Sequence, residues 1–428
     1  MRNTACIVLL LAGSPSFAAV LAGCGAATPA SRDDVGPPVE QQSDTDSVVA
    51  PQADESVEHT DAAPSDDLLR CELELRTFKI GPTGEEVIPT DPAAVDGGIL
   101  VAYFNAVKGA GPGRVRLSTQ RLDATGQLAP PVTQIETDDY WRFQHLVGDG
   151  QRAWLVTGRN GGELRPLDRA GQQAGALLSL MPDAHPQGAT AGPRGPVFWQ
   201  LSRKNQITLI SYPGGPNERH VELAPRREGR RIPVDAGLAS GAAADALLHS
   251  RELGPRRHRL ELAVVNAGAT VVTASHELDS GPGAFETALA AGPHGFGAVW
   301  TSSDLHRLTF RAIDEQGTPS HEPVVLCDGG DSGVCRYPRV ASLGDGWAVT
   351  WWDGVGPVLR RLAADGQPTG PAQEVRTGEE IGGHTDAPVV TVDGGLVVQW
   401  RLGPRMSGTF RGMIDHTETR LGLLRCRQ

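Results

Sequence analysis

Gly346-Trp347-Ala348-Val349-Thr350-Trp351 is the stretch that decides the fold. A glycine opens a short apolar run rich in β-branched and aromatic residues, and a tryptophan closes it. Such a run is shorter than an ordinary helix and suits a buried strand bounded by a turn. The same arrangement recurs along the chain. It appears as Asp96-Gly97-Gly98-Ile99-Leu100-Val101-Ala102-Tyr103, as Gly150 leading to Trp154-Leu155-Val156, and as Gly195 leading to Val197-Phe198-Trp199. Gly295-Phe296-Gly297-Ala298-Val299-Trp300 and Gly394-Gly395-Leu396-Val397-Val398-Gln399-Trp400 follow, with a degenerate copy over Gly241 to Leu248. Seven copies recur roughly every 50 residues.

Each copy precedes a second strand and a turn rich in Asp, Asn and Gly. Leu122-Asp123-Ala124-Thr125-Gly126, Leu167-Asp168-Arg169-Ala170-Gly171 and Ile313-Asp314-Glu315-Gln316-Gly317 are examples, joined by Val265-Asn266-Ala267-Gly268 and Ala364-Asp365-Gly366. Glycine tolerates positive φ in such turns, while Asp and Asn bond back to their own backbone. Short strands at this spacing, without helical periodicity, predict an all-β repeat protein. About 50 residues per unit suits one four-stranded blade, so residues 68–428 are expected to form a β-propeller. Seven blades is the expected count, with six and eight as alternatives. Cys71 to Pro89 has a strand–turn–strand look but no preceding first half. Glu72-Leu73-Glu74-Leu75-Arg76 is therefore expected to close the ring by pairing with the last blade, which removes an exposed sheet edge.

The other end of the chain concerns address. Arg2 is followed by the apolar run Ala5 to Leu11, then by a second run ending in Leu21-Ala22-Gly23-Cys24. Gly13-Ser14-Pro15-Ser16 interrupts the two, so the segment reads as an export signal and not as a membrane span of roughly 20 continuous apolar residues. Leu21-Ala22-Gly23-Cys24 resembles the bacterial lipobox, which implies cleavage after residue 23 and a lipid on the Cys24 thiol. Ordinary secretion, cut after Ser16-Phe17-Ala18, is the alternative. In the lipobox reading two or three acyl chains would hold the protein to a membrane, since one alone anchors only marginally. Gly25, where an Asp would favour inner-membrane retention, then implies the outer membrane of a Gram-negative cell, on its periplasmic side or at the cell surface.

Residues 25–67 hold eleven acidic residues and one basic residue, Arg32, with no Phe, Tyr or Trp. Such a composition cannot offset its ordering entropy, so 24–67 is expected to be a disordered acidic tether spanning roughly 35–40 Å. Of the 51 acidic and 39 basic residues, setting aside the tether and Arg2 leaves 40 and 37 in the body. The net charge of −12 thus belongs mainly to the tether. A near-neutral body with three lysines (Lys79, Lys108 and Lys204) gives no nucleic-acid signature. A monomer is expected.

Six cysteines occur, at 6, 24, 71, 327, 335 and 426. Cys6 leaves with the signal and Cys24 takes lipid, so four remain for an oxidising compartment, with three pairings open to them. Cys327 and Cys335 flank the turn Asp328 to Val334, which leaves Cys71 and Cys426 at the two ends of the body, where a closed ring would bring them together. Chain entropy assigns the long bridge about 5–6 kcal/mol and the short one about 2.6 kcal/mol.

The chemistry is sparser. Arg231-Ile232-Pro233 resembles the Arg-Ile-Pro motif of the sialidases, which are also propellers, and Ser302 to Phe310 resembles their Asp-box. His306 stands where that box has glycine, its Thr-aromatic pair comes one residue late, and the tripeptide lies mid-chain. No well-placed Tyr with a Glu partner is evident. The twelve histidines form no zinc motif, and Asp328 with Asp331 supplies too few oxygens for calcium, so no metal and no cofactor are expected. Two arginine clusters, Arg226, Arg227, Arg230, Arg231 and then Arg251, Arg256, Arg257, Arg259 with His258, offer a face for an anionic ligand, weakened by Glu228 and Glu252. Trp199, Trp300, Trp351 and Trp400 are expected to pack between blades. By repeat layout the body resembles bacterial propeller lipoproteins. The expected function is a membrane-tethered, non-catalytic binding or scaffold module for an envelope protein or glycan, the alternative being a propeller-type glycan hydrolase or lyase.

Overall fold

The computed structural model describes residues 67–82, 87–106, 115–137, 145–157, 162–180, 186–201, 207–211, 218–223, 236–254, 257–283, 285–302, 304–330, 333–375, 388–392, 395–402 and 418–427. Among them, seven antiparallel sheets form the seven blades of a β-propeller. Blades 1 to 6 span residues 88–137, 145–179, 186–222, 237–281, 287–328 and 336–374. Blade 7 combines Val389–Val392, Gly395–Leu402 and Glu418–Cys426 with Leu73–Lys79 from the N-terminal end. The first strands of all blades contact one another around the ring, with Val389–Val392 meeting Ala93–Val95 to complete it.

Glycine opens the second strand in blades 1, 3, 5, 6 and 7, and at Gly346 its steric origin is plain. At Gly346 a Cβ would lie 2.1 Å from the carbonyl oxygen of Leu362 on the neighbouring third strand, so only hydrogen fits there. The aromatic that closes the run goes between blades. Trp300 joins Leu248, Leu260 and Leu262 of blade 4, Trp351 joins Leu308 and Phe310 of blade 5, and Trp400 joins Leu343 and Leu359 of blade 6. The hydrophobic core is thus a series of inter-blade clusters and not a single centre. The Asp/Asn–Gly turns knit blades as well. Gly171, at φ +81°, sits where a Cβ would be 2.6 Å from Thr119 Oγ1 of blade 1, and that hydroxyl donates to the Gly171 carbonyl at 2.8 Å.

Ring closure uses the strand expected for it, extended to Leu73–Lys79 and paired antiparallel with Glu418–Cys426 from Leu73↔Cys426 to Lys79↔Arg420. It is the outermost strand of blade 7. A short helix precedes it, Asp67–Arg70, whose Leu68 and Leu69 are buried among Leu343, Leu359 and Val375 at the blade 6–7 boundary. Arg361 donates to the carbonyls of Leu68 (2.6 Å) and Cys71 (2.7 Å), fixing this segment to blade 6. Both disulfides form as paired above: Cys71–Cys426, with Cα atoms 5.4 Å apart, staples the closure, and Cys327–Cys335 closes the loop after blade 5.

A polar mouth on the central channel as the candidate functional site

Antiparallel order gives the propeller two unlike faces. The first strands run parallel to one another: Gly192 and Ser240, both at strand ends, are neighbours, as are Gly237 and Thr287 at strand starts. The connections between second and third strands, and from each blade to the next, therefore leave from the face where first strands start. The tight turns joining first to second and third to fourth strands occupy the other. Leu73 and the Cys71–Cys426 bridge lie on the tight-turn face, because Leu73–Lys79 begins beside Cys426, where the third strand of blade 7 ends.

A cavity of about 800 Å³ runs down the axis, walled by first-strand residues that are mostly Ala, Gly, Ser, Thr and Val. Polar side chains gather at the start of those strands, and backbone irregularities place them there. In blade 1 the pairing shifts by one residue between Pro89↔Tyr103 and Ala93↔Leu100, so Thr90, Asp91 and Pro92 bulge. Thr90 keeps the strand attached through its N–H (2.8 Å) and hydroxyl (3.1 Å) on the Ala102 carbonyl. In blade 3 the shift falls between Pro186 and Gly188, at Gln187, and in blade 6 between Arg336 and Arg339. Bulges re-aim side chains next to functional sites. These three bring Asp91, Gln187 and Arg339 into the cavity wall, where His145 of blade 2 joins them.

His145 is half-buried, with its Nε2 enclosed. Its Nε2 has no hydrogen-bond partner. Desolvation holds its imidazole below the ordinary histidine range; Asp91 opposes that shift and Arg339 adds to it. The ring is therefore neutral at neutral pH and can serve as donor or acceptor. Beside this set, Glu286 bridges blades 5 and 6. One of its oxygens accepts from Arg336 (2.9 and 3.2 Å) and the other from the Tyr337 main-chain N–H (2.7 Å). Tyr337 takes φ +53°, a conformation that persists only when its surroundings enforce it. Glu286 and Tyr337 thus meet, but through the main chain and not through the phenol.

The remaining residues singled out in the sequence fall elsewhere. Arg226, Arg227, Arg230, Arg231 and Arg256 lie outside the described residues, as does Arg231-Ile232-Pro233. Arg257 is exposed at the start of the third strand of blade 4. Arg251 and Arg259 are cross-strand partners sharing Glu261 at 3.5 and 3.7 Å, and Arg259 also reaches Glu277 at 2.9 Å, so this pair carries local countercharge. Of Ser302 to Phe310, Asp304 and Leu305 lie in a hairpin turn and Arg307 to Phe310 in a strand of blade 5, with Asp304 exposed. Its His306 Nδ1 lies 2.6 Å from the Gly333 carbonyl, which ties the turn to the Cys327–Cys335 loop. Asp328 is exposed on that loop, while Asp331 lies outside the described residues. Trp199, Trp300, Trp351 and Trp400 pack between blades, away from the cavity.

One polar cluster was not foreseen. Asp245, fully buried, accepts at Oδ1 from Arg194 (3.0 Å) and Ser240 (2.7 Å), and at Oδ2 from Ser211 and Arg219 (both 2.9 Å). Arg219 also donates to the carbonyls of Asn266 and Ala269. The carboxylate is saturated and locks blade 3 to blade 4. An acidic residue inside Ala244-Asp245-Ala246-Leu247-Leu248 was the available signal.

No protein-family model and no curated protein matches the chain. Among solved structures it is similar to YCF48 bound to a D1 peptide, at 12% identity over 81% of this chain and 94% of that one, with a TM-score of 0.48. It is also similar to the β-propeller domain of the Trilobed protease from Pyrococcus furiosus, at 8% identity over 73% and 91% with a TM-score of 0.46. A third is the Dos1 propeller, at 9% identity over 82% and 94% with a TM-score of 0.46. These are likenesses of fold alone, and the fold is a seven-bladed β-propeller closed by an N-terminal strand.

Proposed function

We propose that this protein is a lipid-anchored envelope protein whose propeller is a non-catalytic binding module, engaging a protein or glycan partner through the face where first strands start. The observation that carries the reading is the opposition of the two faces. The chain enters the propeller on the tight-turn face, at Cys71 and Leu73, while the polar mouth with Asp91, His145, Gln187 and Arg339 opens on the other. A tether through Cys24 would then leave the polar face free. Asp91 and His145 come from different blades. A propeller-type glycan hydrolase or lyase is the alternative reading. The arginine-rich segment with Arg226, Arg227, Arg230 and Arg231 joins blade 3 to blade 4 in the chain and belongs to the same reading, as do Arg256 and Arg257.

Val355 and Val271 are exposed residues on opposite faces, Val355 between second and third strands and Val271 in a third-to-fourth-strand turn. A photo-crosslinking residue at Val355 should capture an envelope partner in cells, and one at Val271 should not. Replacing the four arginines by Ser should lower the yield from Val355. Capture from Val271 alone, or from neither position, contradicts the proposal.

A further inference from the structure

We propose that the Cys71–Cys426 bridge is a thiol–disulfide exchange site, opened by an external dithiol while the Cys327–Cys335 bridge stays closed. The site is independent of what the polar mouth binds.

Three observations set the two bridges apart. The first is access. Cys71 and Cys426 are both half-buried, on the tight-turn face where the chain enters the ring. Cys335 is fully buried among Leu308, Phe310, Trp347 and Trp351, in the cluster between blades 5 and 6. The second is the charge beside the sulfur. Nη1 of Arg361 lies 4.0 Å from Cys71 Sγ, and the same nitrogen is anchored on the carbonyls of Leu68 and Cys71. A cation placed there favours a thiolate on Cys71. Glu72, the acid next in the chain, is paired with Arg427 at 2.7 Å, so its charge is offset locally. At Cys335 the neighbour of Sγ is instead the His306 carbonyl oxygen, at 3.2 Å, whose negative end opposes a thiolate. The third is what remains after opening. Leu73–Lys79 stays paired with Glu418–Cys426 along its whole length, and Arg361 and Thr369 still hold the helix Asp67–Arg70. The two sulfurs therefore stay within reach of each other, and the bridge can form again.

A disulfide opens faster when its leaving sulfur is stabilised as a thiolate. The thiolate of the dithiol attacks Cys426 Sγ and forms a mixed disulfide. The Cys71–Cys426 bond breaks, and its electron pair leaves on Cys71 beside Arg361. The second thiol gives up its proton, attacks its own partner's sulfur in the mixed disulfide and releases Cys426. The dithiol ends as a disulfide, and two electrons and two protons end on Cys71 and Cys426. A ring closed covalently becomes one closed by strand pairing alone.

The full-length protein in detergent, treated with dithiothreitol without denaturant, acid-quenched at intervals and alkylated, tests this by peptide mass spectrometry. Cys71 and Cys426 should be labelled about tenfold sooner than Cys327 and Cys335, with tryptophan fluorescence unchanged. A pulse of glutathione, a monothiol, should be trapped on Cys426 and not on Cys71. Arg361→Gln should slow opening of the closure bridge about threefold, and Arg361→Lys should restore the rate. If Arg361 served only to fasten the segment, its loss would speed opening, so the sign separates the two roles. Closure cysteines that stay unlabelled, or loop cysteines labelled first or together with them, overturn the proposal. So do glutathione on Cys71 or on neither cysteine, and an unchanged or faster opening in Arg361→Gln. Should Arg361→Gln fail to fold, the labelling order and the position of the adduct in the unaltered protein decide alone.

Discussion

Asp245, fully buried, and His145, half-buried with an enclosed Nε2, show how differently enclosed polar groups can behave. The Asp245 carboxylate has four donors around it, so its burial cost is offset by bonds that also fix two blades together. Removing it strands Arg219, itself buried, beside Ser211. Asp245→Ala should therefore lower stability by about 3–5 kcal/mol in urea unfolding, the range for breaking a buried pair. His145 has no such saturation. Its imidazole is held neutral in the folded protein by desolvation, against Asp91 and with Arg339. In the unfolded chain its ordinary value of about 6.5 applies, so protons bind there first as pH falls. This contribution to stability is full above that pH and declines below it. The melting temperature should fall between about pH 7.5 and pH 5, and His145→Gln should make the fall shallower. An equal fall in the variant would assign the pH dependence to other groups.

Among the elements, the run from Gly346 to Trp351 and its copies was legible in the sequence because two strong constraints repeat with it. One is a glycine under a carbonyl, and the other is an aromatic between blades. Gly346→Ala should cost about 1–3 kcal/mol, since the added methyl meets the Leu362 oxygen. The closing strand was legible for the same reason, as an unpaired half of a repeat. The helix Asp67–Arg70 was not, because four residues hold no periodicity and Asp67 continues the acidic composition before it. The bulges were hidden too. A one-residue shift between neighbouring strands is a property of pairing, and nothing in Thr90-Asp91-Pro92 or Arg336-Tyr337-Pro338 states which partner each will face. The polar mouth was consequently invisible, whereas the arginines at 251 and 259 drew notice through composition and prove to be offset across the hairpin by Glu261 and Glu277. Closure itself is testable at this scale. Replacing Cys71 and Cys426 by Ser should cost about 2–5 kcal/mol. The fold should survive, because Leu73–Lys79 still pairs with Glu418–Cys426 and Arg361 still holds the helix.

The whole molecule combines a closed ring with an asymmetric pair of faces. One face carries tight glycine turns and the chain's point of entry; the other carries the longer connections and the polar opening of the axial cavity. Such a body suits presentation from a surface, provided that the N-terminal end is anchored. The anchor is the premise on which the proposed orientation and partner both depend. Mass spectrometry of the N-terminal peptide from the protein isolated from its own membrane tests it directly. The chain should begin at Cys24 with a diacylglyceryl thioether on its sulfur, lost on Cys24→Ser together with membrane association. A chain beginning after Ala18, with a free Cys24 thiol, would contradict it.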